Sequence, residues 1–151
     1  MDVSKRQFLG TTTGAALALM LNVRPVTSRE YSAEVEAAIA DFASGRTIQT
    51  GRVKLAIPKI AENGFRVPIA VTVDHPMSRG NHVTRVLVLA SDNPWPDIAE
   101  FRFSPLSGQA AVETRIRLAR SQRIIALAET SQGQIFKADQ FVEVTVGGCG
   151  S

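Results

Sequence analysis

From residue 52 onward, apolar and polar side chains alternate with a period of two, the pattern of β-strands that bury one face. In the clearest example, Val67, Ile69, Val71 and Val73 occupy every second position. Loops rich in Pro, Gly, Asn and Ser separate the strand-like segments, which number about seven. They lie at 52–57, 67–73, 83–90, 99–103, 112–118, 124–128 and 141–146. This spacing predicts an immunoglobulin-like β-sandwich, without the two cysteines of antibody domains.

One segment ahead of the strands has helical spacing instead. Val35, Ile39 and Phe42 stand at positions i, i+4 and i+7, and so fall on one face of a helix. Ser32 is a suitable N-cap and Gly45 a natural stop. The predicted fold class is therefore mainly β, with one short N-terminal helix.

The N-terminus has the organisation of an export signal. A basic pair, Lys5 and Arg6, precedes a weakly apolar run over 8–21, which is shorter than the roughly 20 apolar residues of a membrane span. The order resembles a twin-arginine signal with Lys5 in place of the first arginine. We predict an export signal at 1–28, a β-sandwich domain at 29–146, a flexible arm at 147–151 and a periplasmic location, with no membrane association.

The charge of the chain is concentrated in that leader. The whole sequence carries a net charge of +3. Residues 1–28 contain Lys5, Arg6 and Arg24 against Asp2, which leaves the rest of the chain close to neutral. The basic balance therefore gives no ground for a nucleic-acid partner.

The sequence contains no common catalytic or cofactor-binding motif. Nucleotide-binding glycine loops, the zinc-protease motif and the serine-hydrolase motif are all absent. His75 and His82 flank one loop with few carboxylates nearby, which favours exposed loop histidines over a metal site. We therefore predict no metal, no cofactor and no enzymatic activity of the chain itself.

Two further features allow a structural and a functional interpretation. The basic run formed by Arg115, Arg117, Arg120 and Arg123 is either a solvated outer face or an electrostatic dock for an acidic partner or anion. Trp95 stands between two prolines, and we expect its side chain to pack on the sandwich edge and hold the loop there.

The C-terminal tail carries the single cysteine, Cys149, among the glycines Gly147, Gly148 and Gly150. Glycine removes neighbouring side chains and frees the backbone, so the sulfur is open to approach. Five residues at about 3.4 Å each give the tail a reach of roughly 17 Å. The pattern predicts a thiol that can enter a narrow cleft of another protein.

The tail lacks the base and the oxyanion site that an enzyme nucleophile requires. A covalent carrier, whose sulfur holds a substrate while other enzymes act on it, fits better. The alternative is a β-sandwich assembly or adhesion module that uses Cys149 for an intermolecular disulfide. A thiol peroxidase ranks last, since a resolving cysteine is absent.

The tail V-G-G-C-G-S at 146–151 resembles the Gly-Gly-Cys-Gly-Gly arm of the SoxY family, the sulfur carriers of periplasmic thiosulfate oxidation. Phe101, Gln122 and the dipeptide V-P at 67–68 also fit the family pattern. The longer similar segments are I-A-E-N-G at 60–64, V-D-H-P-M at 73–77, N-P-W-P at 93–96 and T-R-I-R-L-A at 114–119. The resemblance extends from about residue 32 to the last residue.

The resemblance implies a mechanism and a set of partners. SoxY pairs with SoxZ, and the haem enzyme SoxXA couples thiosulfate oxidatively to the arm cysteine, here Cys149. SoxB then releases sulfate and leaves a persulfide, which SoxCD oxidises where it is present. The glycines beside Cys149 would let the arm enter each active site. The chain departs from the pattern at Lys5 and at Ser151, where glycine is usual; we expect no lost chemistry from the serine.

Overall fold

Strands are the main regular secondary structure in the computed structural model, which describes residues 31–147. The predicted leader at 1–28 and positions 148–151 lie outside the described residues. Within these bounds the elements are α1 (Ala33–Ala43), β1 (Ile48–Thr50), β2 (Val53–Ala56), β3 (Ile60–Ala61), β4 (Val67–Val73), β5 (Val83–Ala90), β6 (Asp97–Arg102), β7 (Ala110–Ile116), β8 (Gln122–Thr130) and β9 (Ile135–Val144). The predicted mainly-β class with one N-terminal helix is confirmed.

The strands form two sheets that pack against each other. The larger sheet has the order β1-β9-β8-β5-β6, and β3 also pairs with β9; the smaller sheet has the order β2-β4-β7. β1 and β3 run parallel to β9, whereas the other pairs are antiparallel. This arrangement is the predicted immunoglobulin-like sandwich.

The sequence pattern identified every long strand but was wrong about three details. It missed β1 and β3, which are too short, at three and two residues, to display a period. It also began the last strand at 141 instead of Ile135. Lys137 and Asp139 lie in that first half and pair with each other on one face, so the segment lacks the apolar alternation of the other strands.

Strand β8 lies at the centre of the molecule and is buried on both faces. Ile124, Ala126 and Ala128 belong to the core between the two sheets. Ile125 and Leu127 point to the other face of the sheet, where they form a second core cluster with Val35 and Phe42 of α1. The continuous apolar run of β8 therefore reflects three layers: helix, larger sheet and smaller sheet.

The helix begins and ends close to the predicted positions. The Ser32 hydroxyl accepts a hydrogen bond from the Val35 amide at 3.4 Å, as an N-cap does. Ser44 adopts the left-handed conformation with φ of 48°, and Gly45 follows with φ of 76°. Arg46 then donates to the carbonyl of Ala43 at 2.9 Å, which satisfies an acceptor at the helix end.

Candidate functional site

The last described residues, which we call the arm root (145–147), run on from β9 beside the segment that contains β3. The Thr145 amide donates to the carbonyl of Ala61 at 3.0 Å, and the Gly64 amide donates to the carbonyl of Val146 at 2.7 Å. These bonds extend the parallel pairing of β3 with β9. The chain is therefore held by backbone hydrogen bonds up to Val146.

A second segment contacts the arm root on its other side. The Val144 amide donates to the Ser121 hydroxyl at 2.9 Å. A Cβ atom placed on Gly147 would overlap the carbonyl oxygen of Ala119, so this position requires glycine for close backbone approach. The predicted contribution of Gly147 to arm flexibility stays a prediction. Gly148, Cys149 and Gly150 lie outside the described residues.

Two polar side chains fix the segment against which Gly147 packs. The Asn93 side chain donates to the Arg117 carbonyl and accepts from the Ala119 amide, both at 2.9 Å. Gln122, which is 1% exposed, donates to the Asn93 side chain at 2.8 Å. Its side-chain oxygen accepts from the Asp92 amide at 2.8 Å. The sequence showed Asn93 and Gln122 only as parts of a family pattern, whereas the structure shows that they support the arm root.

The prediction that Trp95 packs on the sandwich edge is wrong, since its side chain is 83% exposed. The loop is held by other groups: by the Asn93 side chain and by the Pro96 carbonyl, which accepts from the Ala90 amide at 2.8 Å. Because these bonds already fix the backbone, the indole does not need to pack, and it projects into solvent.

The predicted basic run separates into two parts. Arg123 lies on β8 and pairs with Asp139 on β9 at 2.5 Å. Arg115, Arg117 and Arg120 are exposed, and none of their side chains has an ion pair or hydrogen bond within 31–147. Arg115, Arg117 and Arg120 therefore lie on an exposed face, which is compatible with either interpretation, whereas Arg123 belongs to an ion pair on the larger sheet.

Two shallow depressions meet at Arg115 and Arg117. One of them extends to Trp95 on the 92–96 loop. The other extends to Phe65, which is 49% exposed, and Arg66. Phe65 and Arg66 directly follow Gly64, which binds the arm root. The arm-root surface is our name for five of these residues: Phe65, Arg66, Trp95, Arg115 and Arg117.

Charges on the helix side of the larger sheet are arranged differently. Glu129 accepts hydrogen bonds from Arg46 and Arg85, each at 2.5 Å, and the Arg85 guanidinium lies 4.2 Å from the centroid of the Phe42 ring. Burial acts to raise the pKa of Glu129, but the hydrogen bonds from the two arginines outweigh it and hold the pKa below its usual value.

The two histidines are half-buried, so the expectation that they are exposed is wrong. The loop between them folds back through a bridge between Ser78 and Asn81. His75 Nε2 lies 2.7 Å from the Asn81 side-chain oxygen, and the His75 ring packs against Phe136. No group of three His, Cys, Asp or Glu residues within 31–147 could hold a metal ion. In the same range, no helix is both long and apolar enough to cross a membrane.

Comparisons with known proteins identify the class. The structure of the sulfur carrier protein SoxY from Chlorobium limicola f thiosulfatophilum is similar, with 28% identity and a TM-score of 0.64 over 76% of this chain and 100% of that chain. A superoxide reductase (neelaredoxin) from Ignicoccus hospitalis aligns at 15% identity and a TM-score of 0.56, over 62% of this chain and 80% of that chain. The latter likeness shows the fold alone. No curated protein sequence matches the chain.

A family model extends the similarity into the tail. The model of SoxY, described as sulfur oxidation protein SoxY, matches residues 39–149. This match covers the β-sandwich and the arm root, and it defines the class as that of the sulfur oxidation proteins. The chain belongs to the SoxY family of sulfur oxidation proteins.

Proposed function

We propose that this chain is a carrier subunit that holds sulfur substrates covalently on Cys149 during thiosulfate oxidation. The observation that carries the proposal is the family match, which runs from 39 to 149 and so includes the cysteine. The backbone hydrogen bonds that hold the chain up to Val146 support it, because they give the arm a fixed starting point on the sandwich. The chain itself needs no base or oxyanion site for this task, since partner enzymes supply the chemistry.

The proposed chemical steps are those that the family resemblance implies, and their atoms and electrons balance. In the loading step a bond forms between Cys149 Sγ and the sulfane sulfur of thiosulfate; the thiol loses its proton and an electron pair passes to an oxidant, the haem enzyme SoxXA. In the release step SoxB uses water to cleave the bond to the sulfone group. Sulfate and a proton leave, and a persulfide stays on Cys149. SoxCD, where present, oxidises that sulfur for a further hydrolysis.

The proposed permanent partner is SoxZ, which forms a heterodimer with this chain. We propose a periplasmic location, supported by the basic pair and apolar run of residues 1–28. Cell fractionation together with the intact mass of the protein checks the location, and native mass spectrometry of the purified protein checks the heterodimer. A mass that retains the leader in a cytoplasmic fraction contradicts this location.

Intact mass spectrometry before and after a thiol reductant tests the carrier role. We expect wild-type protein from its native compartment to carry an adduct with the mass of a sulfur atom or a thiosulfate group, which the reductant removes. Cys149→Ser should carry none, while its thermal unfolding stays unchanged because, among the described residues, the core clusters extend no further than Val144.

Two outcomes contradict the carrier role. One is an unmodified thiol in protein supplied with thiosulfate and the loading enzyme. The other is a disulfide-linked homodimer as the main product under the same conditions, which supports the alternative assembly module.

A further inference from the structure

The arm-root surface combines the residue types that dominate protein interfaces. Trp, Tyr and Arg are enriched among the side chains that contribute most binding energy, and Phe is enriched at interfaces as well. Trp95 is 83% exposed and Phe65 is 49% exposed, and each lines one of the two depressions that share Arg115 and Arg117. Aromatic side chains this large, left in solvent beside exposed arginines, indicate a protein-binding surface.

The arginines of this surface are available to a partner. Arg46, Arg85, Arg102 and Arg123 all pair with carboxylates. In contrast, the side chains of Arg66, Arg115 and Arg117 make no ion pair with any described residue. The carboxylates that line the same depressions, Glu113 and Asp97, are fewer than the arginines and also form no ion pair there. Unpaired guanidinium groups favour a partner that presents carboxylates.

The position of the surface determines which partner covers it. The Gly64 carbonyl accepts from the Leu118 amide at 2.8 Å, and the Gly64 amide donates to the Val146 carbonyl. One glycine thus connects the arm root to the backbone that directly follows Arg117, and Phe65 is its neighbour in the chain. Cys149 stands two residues beyond Gly147, and two residues span at most about 7 Å. An enzyme that holds the Cys149 sulfur in its active site must therefore bring the rim of that site against the residues around Gly147.

We propose that the arm-root surface, formed by Phe65, Arg66, Trp95, Arg115 and Arg117, docks the acidic rim of the enzyme that takes up the arm. This inference rests on the proposed carrier function. A permanently bound subunit is a poorer occupant, because it would cover the place from which every enzyme must reach Cys149. Docking at this surface adds affinity that a short glycine-rich arm, with almost no side chains, supplies poorly.

The test uses the intact heterodimer loaded with a thiosulfate adduct, as substrate for the sulfate-releasing enzyme SoxB. We expect Arg117→Glu to raise the KM for the carrier about tenfold with kcat unchanged, because it adds repulsion during docking and leaves the reacting sulfur alone. Trp95→Ala should act in the same direction. The matched control is Arg79→Glu, which reverses an exposed arginine in the 78–81 turn and should change KM by less than about twofold.

Three outcomes overturn the docking proposal. The first is a KM that none of the variants changes. The second is an equal rise for Arg117→Glu and Arg79→Glu, which would reflect the overall charge alone. The third is dissociation of the Arg117→Glu heterodimer in size-exclusion chromatography, which would assign the surface to the paired subunit. Absence of any adduct on wild-type Cys149 would instead refute the carrier function itself, so the two failures are distinguishable.

Discussion

Arginines and aromatic residues occur both on the helix side of the larger sheet and on the arm-root surface, but their side chains are paired or buried in the first region and exposed in the second. Under the helix, Arg46 and Arg85 share one carboxylate, and the aromatic ring of Phe42 is buried. On the arm-root surface, Arg117 has no ion pair among the described residues and Trp95 projects into solvent. The backbone is nevertheless firmly hydrogen-bonded in both regions. The side chains on the helix side thus stabilise the fold, whereas those of the arm-root surface stay available to bind a partner.

A core substitution on the helix side should have the largest effect on stability. Leu127 is completely buried between β8 and α1, so Leu127→Ala should lower the free energy of unfolding by about 2–5 kcal/mol. Urea unfolding followed by circular dichroism measures the change. Trp95→Ala is the control and should cost less than about 0.5 kcal/mol. If both variants lost the same free energy of unfolding, the helix side and the arm-root surface would not differ in their contribution to stability.

A smaller, pH-dependent effect is expected at Glu129. Its lowered pKa means that its contribution to stability is fully present above the ordinary value of 4.5 and is lost as the pH falls through the folded-state pKa. At neutral pH, Glu129→Gln should cost about 1–3 kcal/mol, since two arginines lose a charged acceptor. The gap between wild type and variant should narrow on acidification.

Urea midpoints measured for both proteins from neutral pH down to about pH 3, which is below the ordinary pKa of 4.5, check this expectation. Glu113→Gln is the matched control, because Glu113 is exposed and forms no ion pair with the described residues. Its unfolding curve should follow that of the wild type at every pH. If the difference in stability between the wild type and Glu129→Gln were the same at every pH, the carboxylate charge would not be the cause of that difference.

The smallest expected effect on stability is at the arm root. Gly147→Ala places a methyl group against the Ala119 carbonyl, so the end of β9 must move away, at a cost of about 1 kcal/mol. We expect sulfate release from the loaded carrier to slow more than stability falls, because the arm then leaves the sandwich from a displaced position. Gly80→Ala is the control, since nothing lies within 4 Å of a Cβ there. Unaltered release by Gly147→Ala would show that the close contact does not position the arm.

The sequence predicted the sandwich well because its long strands alternate visibly, as β4 does from Val67 to Val73. It could not reveal β1 and β3, whose two or three residues hold no period. The proposed carrier residue was also accessible to prediction, since Cys149 is the single cysteine of the sequence and stands among glycines. The support around it was not. The contact between Gly147 and Ala119 joins residues far apart in the chain, and only the folded structure shows which atoms meet.

The hydrogen bonds that hold the arm root connect the first half of the chain to its end. Ala61 is hydrogen-bonded to Thr145, and Gly64 is hydrogen-bonded to Val146. Because the paired residues lie far apart in the sequence, these hydrogen bonds form only after a large loop of the chain has closed. The arm root therefore exists only in a chain that has completed its fold. In an incompletely folded chain, Cys149 would be a thiol with no defined place relative to Trp95 or Arg117. Partner recognition at this surface would thus also act as quality control, because sulfur would be loaded and processed only on mature carriers.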